Sequence, residues 1–138
     1  MMSAASVTSF PRRSPPTILV VEDDVITRCH VCDELRARGL KVLEANSSDD
    51  AFAVLDRVRV DLLIIDIHLP GSRDGLDVAR FVRDRFGPTQ IILTSGRPDA
   101  PRIPDLDDVG VFVKKPYLVE QLLEVVSRRL NWPSASDM

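Results

Sequence analysis

Two cysteines, Cys29 and Cys32, are all the chain contains, and no second pair or histidine cluster lies near them. Tetrahedral metal ligation needs four such donors, so this C-x-x-C reads as two small, partly buried side chains on a helix. No apolar stretch approaches the roughly 18 residues of a membrane span, and residues 1–17 lack the apolar core of a secretory signal. A cytoplasmic location is the expectation that follows. Excess positive charge is also missing: the net charge is −3, the basic residues are scattered, and Arg12-Arg13 and Arg128-Arg129 are too short to form patches. No nucleic-acid partner and no membrane contact are therefore expected. There is no internal repeat.

What remains is a chain of 138 residues, 44% hydrophobic and 28% charged, long enough for one well-packed domain and too short for two ordinary ones. A separate output domain is not expected. Residues 1–16, rich in Ser, Pro and Ala and without a sustained period, read as a flexible leader. The folded domain is expected over residues 17–131, with residues 132–138 frayed.

Within the domain, short apolar runs alternate with helical patterns, which argues for parallel strands joined by crossover helices. Ile18-Leu19-Val20-Val21 has no polar interruption, as in a strand covered on both faces. Thr27, Val31 and Leu35 share a helical face, and Gly39 is placed to end that helix in a left-handed conformation. Lys41 to Ala45 mixes polar and apolar positions and suits an edge strand. Ser47 or Ser48 can cap the next helix, whose buried stripe is expected to be Ala51, Leu55 and Val58. Leu62 to Asp66 is a third strand. Gly75 precedes a helix with Leu76, Ala79, Val82 and Phe86 facing inward, broken by Gly87-Pro88. A fourth strand, Ile91 to Leu93, leads to Thr94-Ser95-Gly96. Pro98, Pro101 and Pro104 then make a regular helix over 97–109 improbable, since each internal proline costs about 3 kcal/mol. The fifth strand, Val111 to Val113, runs through Lys114-Lys115-Pro116 into a last helix expected to bury Leu118, Leu122 and Val125.

Functional groups in an open parallel sheet gather outside the carboxyl ends of the strands. Here those ends carry Glu22-Asp23-Asp24, Asp66, Thr94-Ser95 and Lys115. Glu22, Asp23 and Asp66 would crowd several negative charges together, and a hard divalent cation is the natural way to neutralise them. Mg²⁺ accepts one or two carboxylates and a backbone carbonyl while keeping waters, and this arrangement suits phosphoryl transfer. Asp66 is the candidate nucleophile, Lys115 the candidate charge partner, and Ser95 or Thr94 a hydroxyl that could bond to a phosphoryl oxygen.

In order and spacing, the acid pair of Val20-Val21-Glu22-Asp23, the Asp66 strand with its Pro70-Gly71 and Asp74-Gly75 loop, the strand-terminal Thr94-Ser95-Gly96 and Lys115-Pro116 resemble one family. It is the receiver domains of two-component response regulators, and the resemblance spans about residues 17–130. It implies a doubly wound α/β fold, a five-stranded parallel sheet in the flavodoxin-like order 2-1-3-4-5 with helices on both faces, here with a short or irregular fourth helix. It implies that Asp66 is the phosphoacceptor, charged by a histidine kinase or a histidine phosphotransferase. Asp23 would bind Mg²⁺ directly, Glu22 through water, and the backbone carbonyl of His68 would be a further ligand beside Asp66. Lys115 would pair with the phosphate, and its bond to Pro116 would be cis. Ser95 matches the switch hydroxyl, because it directly precedes Gly96, and Phe112 matches the aromatic residue that rotates inward. Two features depart from the family pattern: the loop from Pro70 to Gly75 looks one residue longer, and the proline-laden segment replaces the usual fourth helix.

Set against these readings, a strand-end aspartate can simply cap a turn, but the company of Glu22, Asp23 and Lys115 argues for chemistry. Lys114 reads as a solvated surface amine, His30 as structural, His68 as a side chain near solvent, and Asp24 as a helix cap. The leading expectation is a stand-alone phosphorylation-dependent binding module, not an enzyme, acting on an unknown downstream protein. The alternative is a Mg²⁺-dependent phosphatase of the haloacid dehalogenase type, which expects a second acid at position 68, where this chain has histidine. A receiver-like scaffold that is never phosphorylated is a third reading, disfavoured by the complete acid and lysine set.

Overall fold

The computed structural model describes residues 14–133. Five parallel strands form one sheet: β1 (Thr17–Val21), β2 (Lys41–Ala45), β3 (Leu62–Asp66), β4 (Gln90–Ser95) and β5 (Val111–Lys114), in the order β2-β1-β3-β4-β5. The crossovers are α1 (Val25–Ala37), α2 (Ser48–Leu55), α3 (Gly75–Arg85), a single 3₁₀ turn (Ala100–Arg102) with α4 (Leu106–Val109), and finally α5 (Val119–Leu130). The expected doubly wound arrangement is present, with β2 at one edge.

Strand alternation divides the apolar residues between two cores. Leu19, Val21, Leu63, Ile65, Ile91 and Leu93 meet α2, α3 and α4 through residues such as Ala51, Val78, Val82 and Leu106. Ile18, Val20, Leu62, Ile64 and Ile92 meet α1 and α5 through Val31, Leu35, Leu122 and Val126. Each buried Leu, Ile or Val contributes on the order of 2 kcal/mol, and this double cover is what holds the three central strands in register.

Local signals set the helix ends. Asp24 caps α1 by accepting from the Thr27 N–H, and Gly39 (φ +84°) follows that helix in the left-handed region. Of the two candidate caps of α2, Ser47 is the one used, its hydroxyl accepting from the Asp50 N–H. Asp74 and Asp77 satisfy each other's backbone N–H at the start of α3. The segment after β4 is irregular, as its prolines require, yet it is anchored: Ala100, Leu106 and Val109 are buried, and Asp105 accepts two bonds from the Arg80 guanidinium of α3.

Several expectations need correction. Helix α2 ends at Leu55, so Val58 lies beyond it and is exposed. Leu118 is 65% exposed at the start of α5, whose inner face is Leu122, Leu123 and Val126. The stripe begins one turn later because the chain reaches α5 through the loop after Lys115, and Leu118 projects off it. Trp132 does not belong to a frayed tail: it packs on the α1–α5 core and its indole donates to the Arg38 carbonyl at 3.0 Å. Of the expected leader, residues 1–13 lie outside the described residues, as do 134–138 of the expected tail. Pro16 is already tied to the sheet, its carbonyl accepting from the Lys41 N–H.

Gly75 is the tightest point of the scaffold. Its N–H donates to the Ile67 carbonyl at 2.7 Å, and a Cβ there would stand 1.8 Å from the Asp66 carbonyl oxygen. Gly75→Ala is expected to destabilise the domain by about 3 kcal/mol, because neither backbone can yield without moving β3 or α3. Urea denaturation checks this; a loss below roughly 1 kcal/mol would mean the approach is softer than drawn.

Candidate functional site

Glu22 and Asp66 are brought together by strand pairing. β1 and β3 run in register from Ile18 opposite Leu62 to Val21 opposite Ile65, so the next residue of each strand stands at the same sheet edge. Glu22 is 5% exposed and Asp66 8%. Asp23, one residue on, is exposed, and carboxylate oxygens of Glu22, Asp23 and Asp66 all lie within 4.8 Å of one another. Two carboxylates about 4 Å apart repel by roughly 4 kcal/mol at the effective dielectric of a protein surface. Something must offset that.

Lys115 does so. Its N–H donates to the Ser95 carbonyl at 2.9 Å, fixing the chain just past β5, and its Nζ lies 2.6 Å from Glu22 Oε1 and 2.8 Å from Asp66 Oδ2. Asp66 Oδ1 in turn accepts from the His68 N–H at 2.9 Å, and Glu22 Oε2 accepts from the Asp24 N–H at 3.1 Å. The Lys115-Pro116 bond is cis. Burial pushes the Glu22 carboxyl above its ordinary value, and the Asp66 charge adds to this, against the opposing bonds from Lys115 and the Asp24 N–H. Burial alone would lower the Lys115 ammonium, but its bonds to Asp66 and Glu22 outweigh that and raise it. The amine therefore stays charged at neutral pH.

The two hydroxyls left open by the sequence sit differently. Thr94 is the register partner of Asp66 and is buried. Ser95 is fully buried, and its hydroxyl accepts from the Arg97 N–H at 3.1 Å. Leu93 pairs with Phe112, so Ser95, two residues past Leu93, shares the Phe112 face of the sheet while Thr94 shares that of Asp66. Phe112 is half-buried against the core beneath α2, α3 and α4.

Other expected roles divide. Asp24 is the cap it was read to be, and the bonds from Thr27 hold its carboxyl below the ordinary range. Cys32 is buried and its thiol is pushed up to about 12, chiefly by that burial, while Cys29 is exposed; neither forms a disulfide. The His68 side chain is half-buried with Nε2 shielded from solvent, not near solvent as expected. His30 is exposed on α1 and borders a cleft. The sequence reading also passed over Arg28 and Ile26, and it gave Gly75 only a place in a loop before a helix. Arg28 ties α1 to the site by donating to the Glu22 carbonyl at 2.9 Å and to Glu44 at 3.0 Å. Gly75 lets α3 start against Asp66. Ile26 is 81% exposed beside the site, and its signal was available: an isoleucine on the polar face of an amphipathic helix.

If Lys115 neutralises two crowded acids, Lys115→Met should cost about 2 kcal/mol at pH 7, less than for a fully buried pair because the amine is partly exposed. The sign follows from Glu22: a carboxyl whose value is raised in the folded state destabilises once ionised and ceases to when protonated. The deficit relative to the parent should therefore shrink as pH falls from neutral through the elevated Glu22 value. Denaturation midpoints at a series of pH values measure this, and a pH-independent deficit would mean that Lys115 acts through packing.

Comparison with known proteins shows the family and the fold. The family model described as the response regulator receiver domain matches residues 18–127. The aerobic respiration control protein ArcA of Escherichia coli K12 is 30% identical over 128 residues, covering 88% of this chain and 53% of ArcA. The chain thus spans about half the length of that relative. The signal receiver domain of an HD domain-containing protein from Pseudomonas fluorescens Pf-5 superposes with a TM-score of 0.80 at 24% identity, covering 90% of this chain and 93% of the other. The response regulator TrrA from Thermotoga maritima, solved in complex with Mg²⁺-BeF, gives a TM-score of 0.76 at 27% identity, covering 83% and 98%.

Proposed function

The chain belongs to the response regulator receiver family, a signalling domain of two-component systems, and from that premise we propose that Asp66 is its phosphoacceptor. The observation that supports this reading is the contact of one ammonium group, Lys115 Nζ, with both Glu22 and Asp66 at the carboxyl edge of the sheet.

The donor set suits a hard divalent cation. Glu22, Asp23 and Asp66 offer only oxygens, two from buried side chains and one from an exposed one, which leaves a side open for water. In this proposal Asp23 and Asp66 hold Mg²⁺ directly, with the carbonyl of His68, and Glu22 acts through water. Bound there, Mg²⁺ would offset charge on the phosphoryl oxygens. The chain's own residues do the rest. Asp66 is oriented through Oδ1 by the His68 N–H and through Oδ2 by Lys115. An oxygen of its carboxylate attacks phosphorus, the phosphorus–nitrogen bond of a phosphohistidine breaks, and the imidazole leaves with the electron pair. Lys115 then pairs with the new phosphate.

Ser95 is the proposed switch hydroxyl. Drawn toward the phosphate, it would give up the Arg97 N–H, and Phe112 on the same sheet face would repack. The affected surface is that of β4, β5 and α5, where a downstream protein would be gained or released. Family membership and the histidine at position 68 both weigh against the phosphatase alternative, and no turnover of phosphate esters is expected.

A protein-sized donor, a histidine kinase or phosphotransferase, is supported by the surface beside the site. Val25, Ile26 and Leu118 are exposed apolar residues, and Ile26 lines a cleft of about 450 Å³ with Lys115, Pro116 and Tyr117. Exposed apolar groups next to reactive ones suit a docked partner.

Two outcomes are expected. A small acyl phosphate with Mg²⁺ should add one phosphoryl group, seen by intact-mass measurement, to the parent and none to Asp66→Ala; equal modification of both would remove Asp66 from this role. Ile26→Asp should slow transfer from a cognate kinase at least about tenfold while leaving labelling by the small donor unchanged, since a lost apolar anchor costs on the order of 1–2 kcal/mol. Equal slowing with both donors would trace the effect to the site itself.

A further inference from the structure

Helices α2 and α3 leave between them an open groove of about 590 Å³, on the opposite side of the sheet from α1 and α5. Its apolar wall is a series of three rings packed edge to face. Phe52 and Phe81 have centroids 5.2 Å apart at 77°, and Phe81 and Phe86 are 6.2 Å apart at 79°. Phe81 is left 39% exposed. Arg57, Arg59 and Arg85 line the same groove and are themselves exposed, and Asp56 is the one acid among the lining residues. The groove is therefore cationic in a chain whose net charge is −3.

Several arginines elsewhere on the surface are paired with acids, although Arg73, Arg97, Arg102, Arg128 and Arg129 are not, among the described residues. Arg28 and Arg36 share Glu44, Arg38 meets Glu34, and Arg80 grips Asp105 with two bonds. Among the described residues, Arg57, Arg59 and Arg85 have no carboxylate within salt-bridge distance. Two of them rest over a ring: Arg59 stands 5.7 Å and Arg85 5.4 Å from the Phe86 centroid. A guanidinium so held is partly positioned before any ligand arrives, and it presents a planar fork that matches a carboxylate.

We propose that this groove docks an acidic peptide segment of a partner protein, its carboxylates on Arg57, Arg59 and Arg85 and an apolar side chain against Phe81. Charge complementarity selects the occupant, and two covered rings and the concave shape weigh against its rivals. Nucleic-acid binding through stacked bases needs open aromatic faces, but Phe86 is covered as described and Arg73 covers Phe52 at 4.8 Å. A bilayer is flat, whereas the cationic residues here surround a concavity that fits a chain segment. The surface is separate from the Asp66 edge, although Arg73 comes from the loop that follows Asp66.

Panning a random dodecamer peptide library on the purified chain tests this, followed by anisotropy measurements with the selected peptides. Selected sequences should carry an acidic excess around an apolar residue, shift the amide resonances of Phe52, Phe81 and Phe86, and bind more weakly at higher salt. The triple variant R57E/R59E/R85E should weaken binding at least tenfold, and the milder R59Q/R85Q by a smaller factor. Both should retain the parental unfolding midpoint and labelling of Asp66 by a small acyl phosphate, which separates failure here from failure of the phosphoacceptor reading. Selected peptides without acidic excess would overturn the proposal, as would unchanged binding to the triple variant. Preference for a single-stranded oligonucleotide or for phosphatidylserine vesicles over the peptides would assign the groove to a different class of ligand.

Discussion

The ammonium of Lys115 between Glu22 and Asp66 is the contact on which the site depends. Three carboxylates gathered at one sheet edge repel each other, and two of them are nearly removed from water. A buried ion pair of this kind is weak evidence for stability, since an apolar trio of the same volume would cost the fold less. On the proposed function, its worth lies in orienting the Asp66 carboxylate through Lys115 and the His68 N–H. The arrangement is a local concession of stability to function, and the apolar cores on both faces of the sheet carry the cost.

That contact in turn constrains the scaffold. Lys115 reaches Glu22 across the ends of β4 and β3, from a backbone position past β5 that is fixed to Ser95. Asp66 can point at it only because the chain turns back at once, with α3 starting so close to β3 that Gly75 admits no side chain. Arg28 holds the β1 end from the α1 side, so the first acid is braced by a helix as well as by a strand. Around this rigid edge the molecule presents three unlike surfaces: an apolar one on α1, a cationic aromatic groove between α2 and α3, and the sheet edge at β5. The short, proline-interrupted α4 is clamped to α3 by Arg80 and Asp105, which leaves the end of β4 framed by loop backbone and not by a long helix.

Much of this was legible in the residues. Uninterrupted apolar runs located β1 and β3, because strands covered on both faces need no polar alternation, and the residues that follow the runs include the acids and the lysine that meet at the carboxyl edge. Proline arithmetic correctly denied a regular helix over 97–109. The misses have a common cause. Val58, Leu118 and Trp132 were judged by periodicity or by position in the chain, whereas their burial depends on where a neighbouring element ends. Trp132 is held by the C-terminus of α1, nearly a hundred residues earlier. His68 was placed near solvent because nothing in its neighbourhood in sequence encodes the shielding of its Nε2. Ile26, 81% exposed, was passed over although its place on the outer side of α1 could be read from the helical period.

The sequence by itself determined the strand and helix inventory, the set of chemical groups at the strand ends and the family, because strand runs, helix caps and turn residues act over a few positions at a time. Only the tertiary structure decided that Lys115 touches Glu22 as well as Asp66, that Ser95 and Phe112 share one face while Thr94 shares that of Asp66, and that three phenylalanines and three arginines form one groove. Those facts rest on register and packing between segments tens of residues apart. Such distances emerge only when every element is seated against the others, so no local pattern can carry them.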